Sequence, residues 1–467
     1  MKRKSSFKIP NTCALLFMLM MVAAVLTWII PAGEYDTEKV GSVTRVIAGT
    51  YHTVERNPQG LWALFEAVPA GFYKTAKMLF SIMFIGGAVE VLEKSGSFSA
   101  MFSKITKKNL NIRVLVFFVM LFMTIGGAAG VFSNATIALI PIGITLALSL
   151  GYDSFSGFLM VYLGAFSGFN VGGAVSATLG VAQPIAELPI FSGMGVREII
   201  HLINFIICYL FTIHYMESVR NTPARSLNYK EGMMISDYMG LKGGDSMNEN
   251  HMTWRHALSL VGLLAAIAAL LVGCVIAGWS HEQIAAIFFT LAVYLGLLNG
   301  MGVNGTAKAF LNGCSKMVNA AFITGFANGI SVLMTNGRIL NTIVYALSLP
   351  LNSLGSVLGA NFMFIANLFI NLFIPSGSGQ AAAVMPIMVP LADLAGVTRQ
   401  VAVQAFQFGD GLTNSIFPTS GTLMAGLAIA GVDWAHYARW FLRVIGCQVA
   451  LAILSLTILQ MIGWTGL

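Results

Sequence analysis

Charged side chains are scarce in this chain, and their scarcity excludes an ordinary water-soluble protein. Only 10% of the 467 residues are Asp, Glu, Lys or Arg, whereas 57% are hydrophobic and the mean hydropathy is +0.79. No charge occurs in the 39 residues between Arg113 and Asp153, or in the 54 residues between Arg338 and Asp393. One helical crossing of a bilayer needs about 20 apolar residues. Each run therefore has room for a crossing and for a segment that enters the membrane and returns.

Motifs of nucleotide-driven or hydrolytic chemistry are also missing. The sequence contains no Walker motif, no glycine-rich dinucleotide-binding loop and no His-Glu-x-x-His pattern. Its five cysteines are scattered singly, without a Cys-x-x-Cys pair, so disulfide and metal sites are poorly supported. Most of the seven histidines lie in polar loops, which argues against a histidine proton relay. These absences predict a protein that is not an enzyme, has no catalytic residues and needs no cofactor.

The positive charges that remain are unevenly distributed along the chain. A net charge of +7 is compatible with nucleic acid binding, but the basic residues flank apolar runs instead. They cluster at the N-terminus and before the third apolar run: Lys2, Arg3, Lys4 and Lys8, then Lys94, Lys104, Lys107, Lys108 and Arg113. Cytoplasmic loops carry such an excess of Lys and Arg. We therefore expect a multi-pass protein of the cell inner membrane, with a cytoplasmic N-terminus, a lipid bilayer around it and no nucleic acid partner.

The apolar pattern predicts an all-α polytopic membrane protein made of two structural repeats. The predicted spans are 12–30, 76–93, 112–128, 155–182, 198–216, 256–278, 282–300, 316–334, 356–374, 398–430 and 440–463, with 155–182 and 398–430 interrupted. Re-entrant hairpins are predicted at 131–150 and 376–396, where prolines interrupt the apolar runs. The first repeat would occupy 1–216 and the second, with an extra span, 256–467; a polar linker, 217–255, joins them.

Two stretches of the chain resemble each other, and each is an apolar segment interrupted by small polar residues. The first includes residues 130–136 and 164–170, and the second includes residues 375–380 and 409–414. Paired broken segments in two halves are the best sequence indication of a transporter's binding site. Gly71-x-x-Lys74 and Gly313-x-x-Lys316 match as well. A simple count of crossings, however, gives both halves the same orientation, which conflicts with inverted repeats.

Asp410 is the most informative single residue because it is an acid inside an apolar half. A buried intramembrane carboxylate is costly and usually marks an ion or substrate path. We expect Gly409 and Gly411 to let the backbone unwind there. Side-chain oxygens near both breaks predict a substrate or ion site, with Na⁺ near Asn134, Asp410 and Asn414. The other candidates from the two clusters are Ser133, Thr136, Asn170, Thr413 and Ser420.

The C-terminal half carries the motifs of a known family. Residues 376–386, 399–411 and 417–420 resemble the YfcC-like branch of the dicarboxylate anaerobic carrier family, within the ion transporter superfamily. The resemblance implies a scaffold and a moving transport domain that work by an elevator-type motion, and elevator carriers are commonly homodimers. It also implies that the second-half site is lined by Ser376, Ser378, Gln380, Asp410, Thr413 and Asn414.

The sequence as a whole predicts a secondary active transporter of a small carboxylate-bearing metabolite, an amino acid or a dicarboxylate. Transport would be symport with Na⁺ or H⁺, or exchange. The alternative is a basic amino acid antiporter of the arginine/ornithine type. Relatives of that type tend to carry acidic residues in the first hairpin, where this chain has Phe132, Ser133 and Asn134. A channel is a weaker alternative, because two occluding hairpins argue against a continuous pore.

Overall fold

The computed structural model is a bundle of helices. It describes residues 12–40, 43–47, 49–97, 100, 111–133, 135–175, 177–239, 252–277, 279–350 and 354–466. The helices are α1 (Thr12–Ile29), α2 (Leu61–Lys94), α3 (Ile112–Ala128), α4 (Thr136–Ser149), α5 (Ser154–Phe158), α6 (Gly164–Phe169), α7 (Leu179–Ile185), α8 (Met194–Asn221), α9 (Trp254–Ile276), α10 (His281–Leu298), α11 (Gly302–Lys316), α12 (Val318–Asn336), α13 (Leu340–Ser348), α14 (Ser356–Phe373), α15 (Gly377–Leu394), α16 (Arg399–Asn414), α17 (Gly421–Ala430) and α18 (Trp434–Met461). A π-helical turn, Leu159–Leu163, joins α5 to α6.

Six of the described helices are long and apolar enough to cross a membrane, namely α2, α8, α10, α12, α14 and α18. Their exposed sides carry large apolar residues, as Phe80 of α2 and Leu454 of α18 illustrate. The composition and the helices agree on a polytopic membrane protein. The N-terminal basic residues, together with Lys104, Lys107 and Lys108, lie outside the described residues.

A small β region lies between α1 and α2, where the sequence predicted only a loop. Strand β1 (Gly33–Glu34) pairs antiparallel with β4 (His52–Thr53), and β2 (Thr37–Val40) pairs with β3 (Val43–Val46). Among the described residues the structure is therefore not purely helical, although both pairs are short. Neither pair contributes to the site described below.

The first re-entrant hairpin is longer than predicted. Arg113, at the start of α3, pairs with Glu217 near the end of α8, at 2.7 Å between Nη2 and Oε1. Arg220 of the same helix end donates to the hydroxyl of Tyr152, just after α4 (3.5 Å). Helices α3 and α4 thus start and finish at the same end of the bundle. The prediction of a hairpin over 131–150 is wrong in extent, because its first arm is the segment that was predicted as a separate span.

The second hairpin has the same form. A Cβ atom on Gly396, which follows α15, would lie 3.8 Å from the Cβ of Ser356, the first residue of α14. Helices α14 and α15 are therefore the two arms, and residues 374–376 form the tip. The predicted hairpin over 376–396 contains only the second arm. If neither arm pair crosses the membrane, each half has one crossing fewer than the sequence predicted, and the count of crossings becomes compatible with inverted repeats.

Both predicted interruptions of long helices are present, but the second does not lie at the glycines. The first falls between α6 and α7, and the second falls after Asn414, between α16 and α17. Helix α16 runs without a break through Gly409 and Gly411, so the prediction that these glycines unwind the backbone is wrong. They serve close packing instead. A Cβ on Gly411 would lie only 2.5 Å from the Cα of Asn170, and one on Gly409 would lie 2.9 Å from the carbonyl carbon of Asn367.

Helix α2 packs along α11 and α12 in the antiparallel sense. A Cβ on Gly71 would meet the backbone nitrogen of Gly329 of α12 at 2.7 Å, and one on Gly86 would meet the carbonyl oxygen of Gly313 of α11 at 2.8 Å. The predicted span 76–93 starts too late, since α2 begins at Leu61. Helix α11 was not predicted, because its glycine, asparagine and lysine residues weaken the apolar pattern.

The first part of the predicted linker 217–255 is ordered against the helix ends. Residues 217–221 belong to α8, and Ser226 donates to the carboxylate of Asp153 (2.5 Å). Asn228 donates to the carbonyl oxygen of Ala430 at 2.8 Å. Residues 240–251 lie outside the described part of the chain. The described linker residues therefore pack against both halves.

Candidate functional site

A cavity of about 270 Å³ lies where the two hairpin tips and the two helix breaks meet. Five of the residues predicted from the sequence contribute to its wall: Ser133, Ser376, Ser378, Asn414 and Ser420. Phe166 and Phe169 of α6 supply an apolar side. Asn134, at the first tip, lies outside the described residues. The structure thus brings together polar side chains that are more than 280 residues apart in sequence.

Two helices begin at the cavity and direct their amino ends into it. Ser376 caps α15 by accepting from the backbone N–H of Gly379 (3.3 Å), and Ser420 caps α17 by accepting from that of Leu423 (3.5 Å). Gly377 and Gly421, the first residues of these helices, line the wall. The first turn of a helix leaves N–H groups without intrahelical partners and carries partial positive charge. This end of the cavity therefore favours an anionic group.

None of the described residues that line the cavity carries an ionisable side chain. The wall is instead made of hydroxyl, amide, backbone and apolar groups. Thr419 lines the cavity, and its hydroxyl oxygen is buried without a hydrogen-bond partner among the described residues. A hydroxyl in this position is able to donate to a ligand oxygen.

Asp410 lies behind the cavity wall. Its side chain is fully buried, and its Oδ1 accepts from the amide nitrogen of Asn371 at 2.8 Å. Asn371 also donates to Oε1 of Gln380 (2.9 Å), and Gln380 in turn donates to Oδ1 of Asn367 (3.0 Å). The other carboxylate oxygen, Oδ2, faces the start of α15, since a Cβ on Gly377 would lie 3.2 Å from it. Gly377 therefore separates Asp410 from the cavity.

The remaining predicted site residues do not line the cavity. Thr136 donates to the carbonyl oxygen of Phe132 (2.7 Å), and Thr413 donates to that of Gly409 (2.5 Å). Asn170 donates to the hydroxyl of Ser415 across the two breaks, at 3.3 Å. Gln380 belongs to the amide chain beside Asp410. These side chains are buried, and their hydrogen bonds hold the hairpin tips and helix breaks in place.

Five polar residues of the wall and one buried cation were not among the predicted site residues. The wall residues are Thr75 of α2, Thr178, Asn328 of α12, Thr419 and Thr422. Thr75 and Asn328 are single polar residues in apolar helices, whereas Thr419 and Thr422 flank the predicted Ser420. Arg197 of α8 is fully buried and donates to Oε1 of Gln404 of α16 at 2.6 Å. Arg197 directly precedes the predicted span 198–216, next to Glu198, and a basic residue at the end of an apolar run gave no sign that it would be buried.

Comparison with known proteins identifies the relatives of this chain. A model of the C4-dicarboxylate anaerobic carrier family, DcuC, matches residues 9–461. YfcC of Escherichia coli (strain K12), whose name describes it as a candidate basic amino acid antiporter, is 30% identical over 495 residues, which cover 97% of each chain. An uncharacterized protein of Haemophilus influenzae is 25% identical over 504 residues, covering 98% of each chain.

Two solved transporter structures also align over nearly the whole chain, at low similarity. The YdaH transporter of Alcanivorax borkumensis gives a TM-score of 0.44 at 15% identity, covering 98% of this chain and 100% of that one. MtrF of Neisseria gonorrhoeae, described with a class of antimetabolite efflux pumps, gives 0.42 at 18% identity, covering 98% and 96%. The family model describes a carrier and the name of YfcC describes an antiporter, and neither describes an enzyme.

Proposed function

This chain belongs to the C4-dicarboxylate anaerobic carrier family, and from that premise we propose that it is a secondary active transporter of a small carboxylate-bearing metabolite. The observation that carries the proposal is the cavity between the hairpin tips, at which α15 and α17 begin and whose described wall has no ionisable side chain. A substrate carboxylate would accept hydrogen bonds from the first-turn N–H groups of these helices. The hydroxyls of Ser133, Ser378 and Thr419 would orient the rest of the molecule.

The size of the cavity supports a small substrate. Its 270 Å³ lies below the range of about 300–1,000 Å³ that is usual for drug-sized ligands. An amino acid or a short dicarboxylate suits this space better than a peptide or a lipid does. Phe166 and Phe169 would contact the apolar part of such a molecule.

We further propose two inverted repeats and an elevator-type mechanism. An offset of 242 residues, which carries Gly71 to Gly313, also carries α2 onto α11 and α12 together. Apart from α13, which has no counterpart among the described residues of the first half, the elements that follow have the same order in both halves: two hairpin arms, a helical segment, a break, a short helix and a long helix. The antiparallel packing of α2 on α11 and α12 supports an inverted relation. The hairpins and broken helices would move as the transport domain.

We also propose the membrane location, the oligomeric state and the topology, from the charge pattern of the sequence and from the family. The chain would sit in the inner membrane as a homodimer with a cytoplasmic N-terminus, and its repeats would be 1–216 and 256–467, joined by 217–255. Transport would be coupled to Na⁺ or H⁺ entry or to exchange.

Basic amino acid exchange is the second candidate, and two observations favour it. YfcC is named as a candidate antiporter of this kind, and Asp410 is a carboxylate close to the cavity. A guanidinium held inside the membrane needs a nearby carboxylate, because an unpaired buried charge is costly. Asp410, however, is separated from the cavity by Gly377 and is already bonded to Asn371. We therefore rank a neutral or anionic substrate first.

The test is uptake and counterflow in liposomes that contain the purified protein. Labelled aspartate, alanine, arginine and a four-carbon dicarboxylate would be offered in turn, with each unlabelled compound in excess. Saturable counterflow identifies a carrier and excludes a channel. We expect a neutral or anionic carboxylate to be transported, and we expect arginine and ornithine to compete poorly. Strong inhibition by arginine alone would establish basic amino acid exchange instead.

A pair of matched variants connects the transport signal to the cavity. Thr75→Trp places a large ring in the cavity from α2, and it should abolish uptake. Leu61→Trp adds a ring on the same helix at a residue that is 72% exposed, and it should leave uptake intact. Equal uptake by the two variants would show that substrate passes elsewhere.

A further inference from the structure

Three side-chain oxygens around Asp410 are buried and receive no hydrogen bond within the described part of the chain. They are Oδ2 of Asp410, Oδ1 of Asn371 and Oε1 of Gln407. The three side chains are fully buried. Buried polar atoms are nearly always paired in native proteins, because an unpaired one loses its hydration without compensation. Three such oxygens in neighbouring residues therefore need an explanation.

The side-chain N–H groups of Asn371 and Gln407 that are shown to donate are directed at other acceptors. The amide nitrogen of Asn371 donates to Asp410 (2.8 Å) and to Gln380 (2.9 Å), which occupies both of its hydrogens. Gln407 donates to the carbonyl oxygen of Phe169 at 2.7 Å. The two partners of Asn371 are both acceptor oxygens, so its amide has to present nitrogen to them and leave its own oxygen without a donor. This part of the structure therefore contains more hydrogen-bond acceptors than donors, and turning the Asn371 amide would not correct the imbalance.

The three residues lie close together. Asn371, at the end of α14, contacts Asp410 directly, and Gln407 and Asp410 are three residues apart on α16, so they share one face of that helix. In the described structure no Lys, Arg or His side chain forms a hydrogen bond or ion pair with Asp410. The cluster thus combines one carboxylate oxygen with two amide oxygens in a buried place.

We propose that Asp410, Asn371 and Gln407 bind a dehydrated monovalent cation of the Na⁺ type. Hard cations are held by carboxylate and amide oxygens, and a cation would satisfy all three acceptors at once. A proton on Asp410 would provide one donor and would leave the other acceptors unpaired. A single carboxylate balances one positive charge, which favours a monovalent ion over Ca²⁺ or Mg²⁺. The sequence placed such an ion near Asn134, Asp410 and Asn414; the Asn414 side chain does interact with Asp410, and the unpaired oxygens add Asn371 and Gln407.

The coupling role of this ion rests on the proposed transport function, but its binding is measurable without any substrate. The purified full-length protein would be unfolded by heat in NaCl, LiCl, KCl or N-methylglucamine chloride at constant ionic strength. A ligand that binds only the folded state raises Tm in proportion to the logarithm of its concentration above Kd. We expect Tm to rise with the logarithm of the Na⁺ concentration above Kd, and to stay unchanged with N-methylglucamine.

Three variants test the assignment. Asp410→Asn removes the charge at nearly constant shape and should abolish the sodium-dependent rise in Tm. In sodium-free buffer this variant should be at least as stable as the wild type, which also shows that it folds. Gln407→Ala should raise the sodium concentration at which Tm begins to increase by about tenfold or more. The matched control is Asp36→Asn, which alters an exposed carboxylate between α1 and α2 and should leave the response unchanged.

Two results would overturn the proposal. One is a sodium response in Asp410→Asn equal to that of the wild type. The other is a wild-type Tm that changes with pH but not with Na⁺, which would make Asp410 a proton carrier. Either result leaves the proposed function standing if substrate uptake is still measured. A sodium response without uptake of any carboxylate would instead retain this site and refute the transport proposal.

Discussion

The helix breaks of the two halves share a backbone plan but differ in chemistry. In each half, a helical segment begins after an N-capping residue, Asp153 or Thr398. The first runs through α5, the π-helical turn and α6 to Asn170, and the second, α16, runs to Asn414. Four residues before these asparagines, Asn170 and Asn414, the first half has Phe166 and the second half has Asp410. Equivalent places in the two halves therefore hold an aromatic ring and a carboxylate.

The surroundings differ in the same way. Phe166 stacks on Tyr162 with 4.3 Å between ring centroids, and Tyr162 stacks on Phe158 at 4.8 Å. Asp410 instead lies in the chain of amides formed by Asn371 and Gln380. The first half thus supplies an apolar wall, and the second supplies charge and oxygen ligands. If the proposed ion site is correct, only the second of these two similar segments binds the ion.

The largest expected effect tests whether Asp410 matters more for transport than Phe166 does. Asp410→Asn should lower the rate of coupled uptake by at least about 100-fold, because removing one partner of a buried charge pair typically costs about 3–5 kcal/mol. Phe166→Leu, at the equivalent place, should lower it by less than about tenfold, as expected for a hydrophobic replacement of similar size. Uptake is measured at equal amounts of inserted protein. A larger loss of uptake in Phe166→Leu than in Asp410→Asn would show that the aromatic residue, and not the carboxylate, is the more important of the two.

The next effect tests what the two halves share, which is glycine-mediated packing. A Cβ on Gly168 would lie 2.7 Å from the backbone nitrogen of Ala128, and one on Gly409 would lie 2.9 Å from the carbonyl carbon of Asn367. Gly168→Ala and Gly409→Ala should each destabilise the protein by about 1–3 kcal/mol through overpacking. Thermal unfolding in detergent measures this.

Gly446→Ala in α18 is the control for these two variants. A Cβ there has no atom within 4 Å, so the change should stabilise the helix by up to about 1 kcal/mol. If Gly409→Ala behaves like Gly446→Ala, close packing at the second break is not required.

A smaller effect concerns the two hairpin tips. Ser133→Ala and Ser378→Ala each remove one hydroxyl from the cavity wall. One hydrogen bond contributes about 1 kcal/mol, so each variant should weaken substrate binding by roughly fivefold. The apparent KM of uptake reports the change. If the apparent KM rises in only one of the two variants, the substrate contacts a single hairpin tip.

The smallest effect lies at a contact between the halves outside the cavity. Arg399 of α16 pairs with Asp393 (2.8 Å) and reaches across to Glu187, before α8 (2.5 Å). Because Arg399 is one third exposed, Arg399→Gln should cost less than about 1 kcal/mol, and the difference should shrink in high salt. A cost above 3 kcal/mol would show that this contact holds the halves together.

The sequence predicts the hairpin tips well because small polar residues in an apolar run have a clear meaning in a membrane. Ser133, Ser376 and Ser378 were identified in that way, as was the burial of Asp410. Thr75 and Asn328 were missed because one polar residue in an apolar helix usually makes only a packing or backbone contact. Their place at the cavity depends on how α2 and α12 pack against α17 and the tips.

The extent of the hairpins was missed for a different reason. Composition shows that residues 112–128 and 356–373 are apolar, but it does not show to which end of the bundle the chain returns. That information comes from contacts such as Arg113 with Glu217. Asn371 and Gln407 likewise resemble ordinary helix residues until folding places their oxygens near Asp410. The sequence did not predict the extent of the hairpins or the surroundings of Asp410, because both depend on contacts between residues that are far apart in the chain.

The bonds at the start of α5 also have a consequence for how the protein is made. Ser154 donates to the carbonyl oxygen of Ala430 at 2.6 Å, and Asn228 donates to the same oxygen. Ser154 and Ala430 are separated by 276 residues, and synthesis proceeds from the N-terminus at about 5–20 residues per second. Ser154 thus leaves the ribosome roughly 15 to 55 seconds before its partner exists. During that interval the newly inserted first half is an incomplete intermediate, and its biogenesis depends on whatever shields this polar end until α17 arrives.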